Sequence, residues 1–279
     1  MQRIWNPIGR RGSALLLVGA SAVTMAACNT TEAKEIVTTT EYGSTVKLGQ
    51  GTARTYITSV NGEPQEVGVA LSEAALNGLP TSHDPGGVLI EGHYMSFENI
   101  LALPQNNPTG FAYVTLNWNP GGHEPPGLYE SPHFDFHFYW LSNEERVAID
   151  PSDPEFQKKT ERVPAPEYIP QGYILPAPMA VPQMGVHWVD PTSPELNGQP
   201  FTQTFIYGSW DGEVIFAEPM ITKAFLETKP NFTKALPAPK QIAADGWYPG
   251  SYSIRWDATA KEYRIALTGM VARKSSDGQ

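Results

Sequence analysis

The sequence predicts a mostly β protein: an antiparallel β-sandwich or a barrel-like single domain with long proline-rich loops and a few short helices. Charged residues make up 17% of the chain, where about 25% is usual for a globular domain. Proline accounts for 26 of the 279 residues, and proline interrupts helices because it lacks an amide hydrogen. Few charges and many prolines favour strands joined by fixed loops over long surface helices.

Alternation of polar and apolar side chains predicts the strands. They are expected at residues 52–60, 65–71, 88–103, 111–118, 133–141, 184–189, 202–208, 213–218, 250–256 and 262–271. Hairpin turns are predicted at residues 61–64, 209–212 and 257–260, since these contain the Asn, Asp and Gly residues that tight turns favour. Helical pattern is confined to residues 154–162 and 222–228, with one further turn at 72–77. The proline-rich passages 119–132 and 163–183 are predicted to be long functional loops.

Residues 1–27 have the pattern of a secretory signal. Arg3, Arg10 and Arg11 precede a short apolar run at 14–27, which is typical of a signal peptide and not of a membrane-spanning helix. The small residues before Cys28 resemble a bacterial lipobox, which implies cleavage before Cys28 and lipidation of its thiol. The alternative is a longer signal in which Cys28 is an ordinary residue. The predicted organisation is a lipoprotein signal peptide at 1–27, a polar tether at 28–43 and one β-rich domain at 44–279.

The number of cysteines and the net charge limit which chemistry and which partners are possible. Cys28 is the only cysteine, and its lipidation would leave no thiol for a disulfide, for nucleophilic catalysis or for a zinc site. The formal net charge of −10 disfavours nucleic acid and anionic lipid surfaces as partners. We therefore expect an extracytoplasmic lipoprotein, in the periplasm or at the cell surface, attached to the membrane by the lipid on Cys28. Oligomerisation is compatible with the sequence.

The segment HFDFHFYW at 133–140 contains the most informative alternation in the chain. A strand with this pattern presents two imidazoles, a carboxylate and a phenol on one face, and a row of aromatic rings suited to a core on the other. Side chains two residues apart are about 6.6 Å apart along a strand, so His133 with Asp135, or Asp135 with His137, can share one ion. His133 and His137 are about 13 Å apart, too far for one ion unless a bulge brings them closer.

Further ligands for such an ion must come from other segments. His187 lies on a short strand after a proline-rich loop, and Glu218 ends the strand at 213–218; His123-Glu124, in a Gly- and Pro-rich loop, can reach the site from above. The candidate metal ligands are His133, Asp135, His137, His187 and Glu218. Imidazoles combined with carboxylates suit zinc, manganese or iron(II). Two metal-free interpretations stay open, a structural hydrogen-bond network ordered by Asp135 and a proton-transfer site.

Three motifs resemble the signature of an uncharacterised family of secreted or lipid-anchored bacterial proteins, classed as a domain of unknown function. They are HFDFHFY at 133–139, MGVHWVD at 184–190 and FAEPMIT at 216–222, and the resemblance extends over residues 45–271. It implies a β-sandwich or barrel-like fold and an extracytoplasmic location. It implies no activity, so the function must be argued from the residues.

Three functions of different classes fit these observations. The first is a lipid-anchored cell-envelope protein that binds a metal ion or small ligand through the His/Asp/Glu cluster. The second is a metal-dependent extracytoplasmic enzyme, a hydrolase or an oxidoreductase. The third is a structural or assembly module of the envelope that holds no metal. The first is favoured, because the sequence contains a plausible ligand set but no recognisable set of catalytic partners.

Overall fold

The computed structural model of the protein describes residues 35–90 and 92–275. The chain divides into two units, Met1–Glu35 and Ile36–Gln279, and every element below belongs to the second. The predicted signal peptide and Cys28 lie outside the described residues. Within the described ranges, no helix is long and apolar enough to cross a membrane.

Strands dominate the described residues, and the helices among them are short. The strands are β1 (Thr38–Tyr42), β2 (Val46–Leu48), β3 (Gly51–Val60), β4 (Glu63–Ser72), β5 (Val88–Ile90), β6 (His93–Ala102), β7 (Tyr113–Asn119), β8 (His133–Tyr139), β9 (Val186–Val189), β10 (Gln203–Trp210), β11 (Glu213–Thr222), β12 (Asn231–Ala235), β13 (Gly246–Tyr248), β14 (Ser251–Asp257), β15 (Glu262–Thr268) and β16 (Val271–Arg273). The α-helices are α1 (Asn143–Val147), α2 (Phe156–Glu161) and α3 (Lys223–Glu227), and 3-10 turns occur at Glu73–Leu76, Pro166–Tyr168 and Pro194–Asn197.

The strands form two large sheets and one small pair. The first sheet has the order β1-β3-β4-β15-β14-β12, with β2 also paired to β3. The second has the order β5-β6-β7-β8-β11-β10-β9, which puts β8 in its centre, and β13 pairs with β16. All of these pairings are antiparallel.

One apolar core joins the two large sheets. Val69 and Ile265 of the first sheet lie in the same buried cluster as Leu116 and Phe136 of the second. The first sheet ends at β1 and β12 and the second at β5 and β9, so neither closes into a barrel within the described residues. The predicted mostly β, antiparallel fold is confirmed, and its open sheets agree with a sandwich and not with a barrel.

The predicted hairpin turns are confirmed where β3 meets β4 and where β10 meets β11. Asn61 and Gly62 have φ of 52° and 85°, and Asp211 and Gly212 have φ of 52° and 91°. Positive φ at both central residues defines the two-residue turn whose twist matches that of paired strands. The second of these turns joins β10 to β11, the strand that borders β8, and the register of this pair shifts once, between Gly208 and Ser209.

Two predicted segments differ in the structure. The single strand expected at 88–103 is two strands, β5 and β6, because Gly92 lies in the turn between them with φ of 84°. Thr38–Tyr42, within the predicted tether, forms β1 and pairs with β3. Threonine favours extended backbone, and the Thr40 and Thr58 hydroxyls are hydrogen-bonded across this pair at 3.0 Å.

The two predicted helices are confirmed as α2 and α3, each shorter than its predicted range. Helix α1 was not predicted. It begins at a capping box in which the Ser142 hydroxyl accepts from the Glu145 amide and the Glu145 carboxylate accepts from the Ser142 amide.

Candidate metal centre

Strand β8 is buried on both faces. Phe134, Phe136 and Phe138 point into the core between the sheets, as the alternation predicts. His133, Asp135 and His137 point to the opposite, outer face and are nevertheless at most 4% exposed. Polar groups held this far from water need partners, because an unpaired buried polar group costs several kcal/mol in an apolar environment.

Asp135 accepts contacts from three directions on this outer face. Its Oδ1 lies 3.1 Å from His133 Nε2 and its Oδ2 lies 3.4 Å from His123 Nε2. The side-chain amide of Asn119, at the end of β7, donates a 2.6 Å hydrogen bond to the same Oδ2. Two imidazoles therefore converge on one carboxylate whose orientation Asn119 fixes.

The loop between β7 and β8 brings His123 to this site. The His123 amide donates to the Tyr129 carbonyl at 3.1 Å, which closes the loop on itself. Gly122 makes that closure possible: its φ is 73°, and a Cβ there would lie 2.1 Å from the Tyr129 carbonyl oxygen. The His123 side chain is 36% exposed, so it is the one part of the cluster in contact with solvent to any extent.

The ring nitrogens of both histidines are assigned by their backbone partners. His133 Nδ1 lies 2.7 Å from the Ser131 carbonyl oxygen, and His123 Nδ1 lies 2.7 Å from the Glu124 carbonyl oxygen. A carbonyl oxygen only accepts, so each Nδ1 carries the hydrogen. In the neutral imidazole, Nε2 then holds a lone pair aimed at Asp135. This is the arrangement in which metal-ligating histidines are held by a partner at the other ring nitrogen.

The atoms that face each other here have no hydrogen-bond partner. His133 Nε2 and Asp135 Oδ1 are both buried and unpaired, although only 3.1 Å separates them. Two lone pairs at this distance repel, whereas a cation between them attracts both. Bonds of 2.0–2.1 Å to a tetrahedral ion put ligand atoms about 3.4 Å apart, close to the observed 3.1 Å and 3.4 Å.

His123, His133 and Asp135 can hold a metal ion. Their ligand atoms all lie within 4.8 Å of one another, and in the described part of the chain they form the one group of three or more His, Cys, Asp or Glu donors with this spacing. The donors are two nitrogens and one carboxylate oxygen, a set found at zinc and iron(II) centres. The side chains fit such an ion in number, chemistry and spacing.

His137 and Glu218 form a separate pair beside this group. Glu218 comes from β11, and its Oε1 lies 3.3 Å from His137 Nε2, while His137 Nδ1 lies 3.1 Å from the Thr115 hydroxyl on β7. Both residues are almost completely buried. The structure therefore brings together His133 with Asp135, and His137 with Glu218. The third potential ligand beside His133 and Asp135 is His123, not His137.

His187 lies apart from both pairs. It is on β9, next to Gly208 of β10, so β10 and β11 separate it from β8. Its ring packs on Phe216, at 5.6 Å between centroids, and the same Phe216 ring contacts His137 at 5.0 Å. A phenyl ring thus stands between His187 and His137, which suits a packing role and not a shared ion.

The charges on this face follow from burial and from neighbours. Burial opposes ionisation of Asp135, but His133 and His123, when protonated, hold its pKa well below the usual range through their positive charge and their hydrogen bonds to the carboxylate. Burial raises the pKa of Glu218 well above the usual range, and the Asp135 charge raises it further. Burial also lowers the pKa of His137 to about 3. Near neutral pH the face therefore carries an ionised Asp135, a neutral His137 and a Glu218 that resists ionisation.

From the sequence, His123 was only an alternative ligand, and Thr115, Asn119 and Tyr129 had no predicted role at the site. The strand YVTLNWN at 113–119 alternates as clearly as β8 does, with Thr115, Asn117 and Asn119 on one face. That alternation was a usable signal, since β7 is the neighbour of β8 and its polar face had to meet the polar face of β8.

Comparisons with known proteins add no relative: no protein-family model, no curated protein and no solved structure matches the chain. The family resemblance of the three motifs stays a prediction. The chemistry of the site is therefore inferred from its residues.

We expect His187 to make stability depend on pH. Burial lowers its pKa from 6.5 to about 4, so below pH 6.5 the unfolded chain binds a proton that the folded chain excludes until about pH 4. Stability is fully present above pH 6.5 and is lost as the pH falls toward 4. His187→Gln removes this proton and should lose less stability between about pH 7 and pH 5, measured by urea unfolding with a chelator present.

The matched control is His83→Gln, which removes an exposed imidazole. It should keep the pH dependence of the unaltered chain. Equal losses of stability in the His187 variant and the unaltered chain would contradict the prediction.

Proposed function

We propose that the protein is a metal-binding protein of the cell envelope that holds a divalent ion through His123, His133 and Asp135. The observation that carries the proposal is the convergence of two Nε2 atoms on one carboxylate, with both Nδ1 atoms occupied by carbonyl oxygens. With both imidazoles neutral and their hydrogens on Nδ1, a hydrogen-bond network leaves His133 Nε2 and Asp135 Oδ1 unpaired. A bound cation satisfies both atoms.

The donor set favours zinc, with iron(II) or manganese as the alternatives. Zinc takes His nitrogen and carboxylate oxygen in four-coordinate sites, and three protein ligands leave one position for water or another ligand. The same three donors, two His and one carboxylate, are used by iron(II) centres. No thiolate is available to such a site, because Cys28 is the only cysteine of the chain and its thiol is proposed to carry a lipid.

Burial favours binding or storage of the ion over catalysis. His133 and Asp135 are almost completely enclosed. A cavity of about 910 Å³ is lined by Trp140, Tyr207 and Tyr248 among others, and by none of the three ligands. A substrate in that cavity would not touch the ion, whereas an enzyme needs an open metal position that faces its substrate.

A metal-dependent hydrolase or oxidoreductase is the second candidate. It is supported by one observation: the ring of His123 is 36% exposed, so a small molecule can approach the ion from that side. This candidate requires the loop that contains His123 to leave a coordination position open. It shares the ligand set of the first candidate and differs only in access.

The location is part of the same proposal. We infer that the chain is exported and anchored by a lipid on Cys28, supported by the arginines, the apolar run and the small residues before that cysteine. A lipid anchor would hold the domain at a membrane surface although the full chain is acidic, with a formal net charge of −10. Lipid-anchored binding of an ion outside the cytoplasm would follow.

His133→Ala should weaken zinc binding more than the roughly 10–100-fold that is typical of losing a partner outside the ligand shell, because it removes a ligand itself. Asp135→Asn should do the same while keeping the size of the side chain. Calorimetric titration of the chelator-stripped protein measures the affinity, and circular dichroism checks the fold of each variant.

The control for this experiment is His83→Ala. His83 and His93 form an exposed pair with ring centroids 5.7 Å apart, so they are the obvious adventitious zinc site. Unchanged affinity in the His133 variant together with a loss in the His83 variant would contradict the proposed site.

Cys28→Ser should release the protein from the membrane. Labelling with a radioactive fatty acid should mark the unaltered chain and not the variant, and the variant should partition into the aqueous phase of a detergent extraction. Fatty-acid labelling that persists in the Cys28 variant would contradict the predicted anchor.

A further inference from the structure

We propose that His137 and Glu218 hold a second divalent cation next to the first, so that the outer face of β8 is a two-ion centre. This inference rests on the proposed function, since it extends the same polar face. It concerns a metal of the same chemical class, bound by imidazole nitrogen and carboxylate oxygen.

The geometry of this pair repeats that of the first position. His137 Nε2 and Glu218 Oε1 are 3.3 Å apart, again close to the separation of about 3.4 Å expected for two ligands of one tetrahedral ion. The Thr115 hydroxyl lies 3.1 Å from His137 Nδ1 and can accept its hydrogen, which leaves Nε2 free to bind. Both residues are rigidly placed, because β7, β8 and β11 are neighbouring strands of one sheet.

Buried polar atoms without a hydrogen-bond partner support a bound cation at this position. Glu218 Oε2 and the Tyr129 hydroxyl are buried and have no hydrogen-bond partner, and neither has Asn117 Oδ1, which lies on β7 opposite Asp135. Tyr129 lies in the same buried cluster as Met220, the β11 residue opposite Asp135, which puts it on the same face. Unsatisfied buried groups are rare in folded proteins, and several on one face point to a bound species.

The protein supplies little counter-charge to the two carboxylates of this face. Asp135 and Glu218 are both buried, and among the described residues their ion-pair partners are histidines alone, with no lysine or arginine. The buried Arg146 nearby is paired with Glu98 instead. One divalent ion at Asp135 carries enough charge for both carboxylates, but it would bind Asp135 and not Glu218, whose buried Oε2 would stay without a partner. A second ion between Glu218 and His137 puts a positive charge in contact with the Glu218 carboxylate.

The two ions would be neighbours. Asp135 and His137 project from the same face two residues apart, about 6.6 Å along the strand. The alternative without a second ion is a protonated Glu218 that donates to His137 Nε2. Such a hydrogen bond also gives both side chains a partner. The number of bound ions distinguishes the hydrogen bond from a second ion.

The test counts zinc per chain. The protein is purified as it is processed in the cell, stripped with a chelator, loaded with zinc and desalted, and its metal content is measured by mass spectrometry. We expect two ions in the unaltered chain and one in His137→Ala/Glu218→Gln. Thr115→Val, a milder change outside the ligand shell, should weaken only the second ion by roughly 10–100-fold.

The outcomes separate this inference from the proposed function. One ion per unaltered chain, unaffected by His137→Ala/Glu218→Gln, would overturn the second position and leave the first intact. No bound zinc would overturn both. Two ions that persist in the double variant would place the second elsewhere on the molecule and overturn it too. If the double variant fails to fold, an unaltered second affinity in Thr115→Val is the contradicting result.

Discussion

The buried carboxylate of Asp135 is the constraint on which the rest of the polar face depends. A charge enclosed between a sheet and its covering loop is tolerated only when its oxygens are occupied. Asn119 occupies one oxygen by a hydrogen bond, and His123 and His133 lie against the two oxygens without completing the set. The loop before β8 is closed by the hydrogen bond from the His123 amide to the Tyr129 carbonyl, and Gly122 leaves room for that closure. This loop conformation brings His123 to the carboxylate.

The chemistry of the face depends equally on the core behind it. Phe134, Phe136 and Phe138 alternate with the polar residues of β8 and pack between the sheets. Packing at this density fixes the strand, so the imidazoles and carboxylates on the other side are held in place and lose little freedom on binding an ion. A central strand in a closely packed sandwich therefore serves as a rigid mount for ligands, which a loop alone does not provide.

Local patterns predicted much of this fold because the determining interactions are local. The Asn-Gly and Asp-Gly turns define their own backbone, and alternation defines the two faces of β8, β10 and β11. The unpredicted helix α1 had a readable local signal in its Ser142–Glu145 capping box. By contrast, β1 is exposed along its whole length, and its pairing with β3 has no core pattern that sequence inspection can detect.

The candidate site was predictable to the extent that its residues share a strand. His133 and Asp135 meet because a two-residue spacing puts them on one face. Glu218 reaches His137 only because β11 pairs with β8 across a long connection, and His187 belongs to a strand that two others separate from β8. The position of His123 depends on a loop backbone set by glycine, which periodicity does not encode.

The central claim is most directly tested by a crystal structure of the protein grown with zinc, with diffraction recorded at the zinc absorption edge. We expect an anomalous peak about 2.0–2.1 Å from Nε2 of both His123 and His133 and about 2.0–2.2 Å from a carboxylate oxygen of Asp135. Anomalous peaks on surface imidazoles alone, with a hydrogen-bonded water between His133 and Asp135, would contradict it.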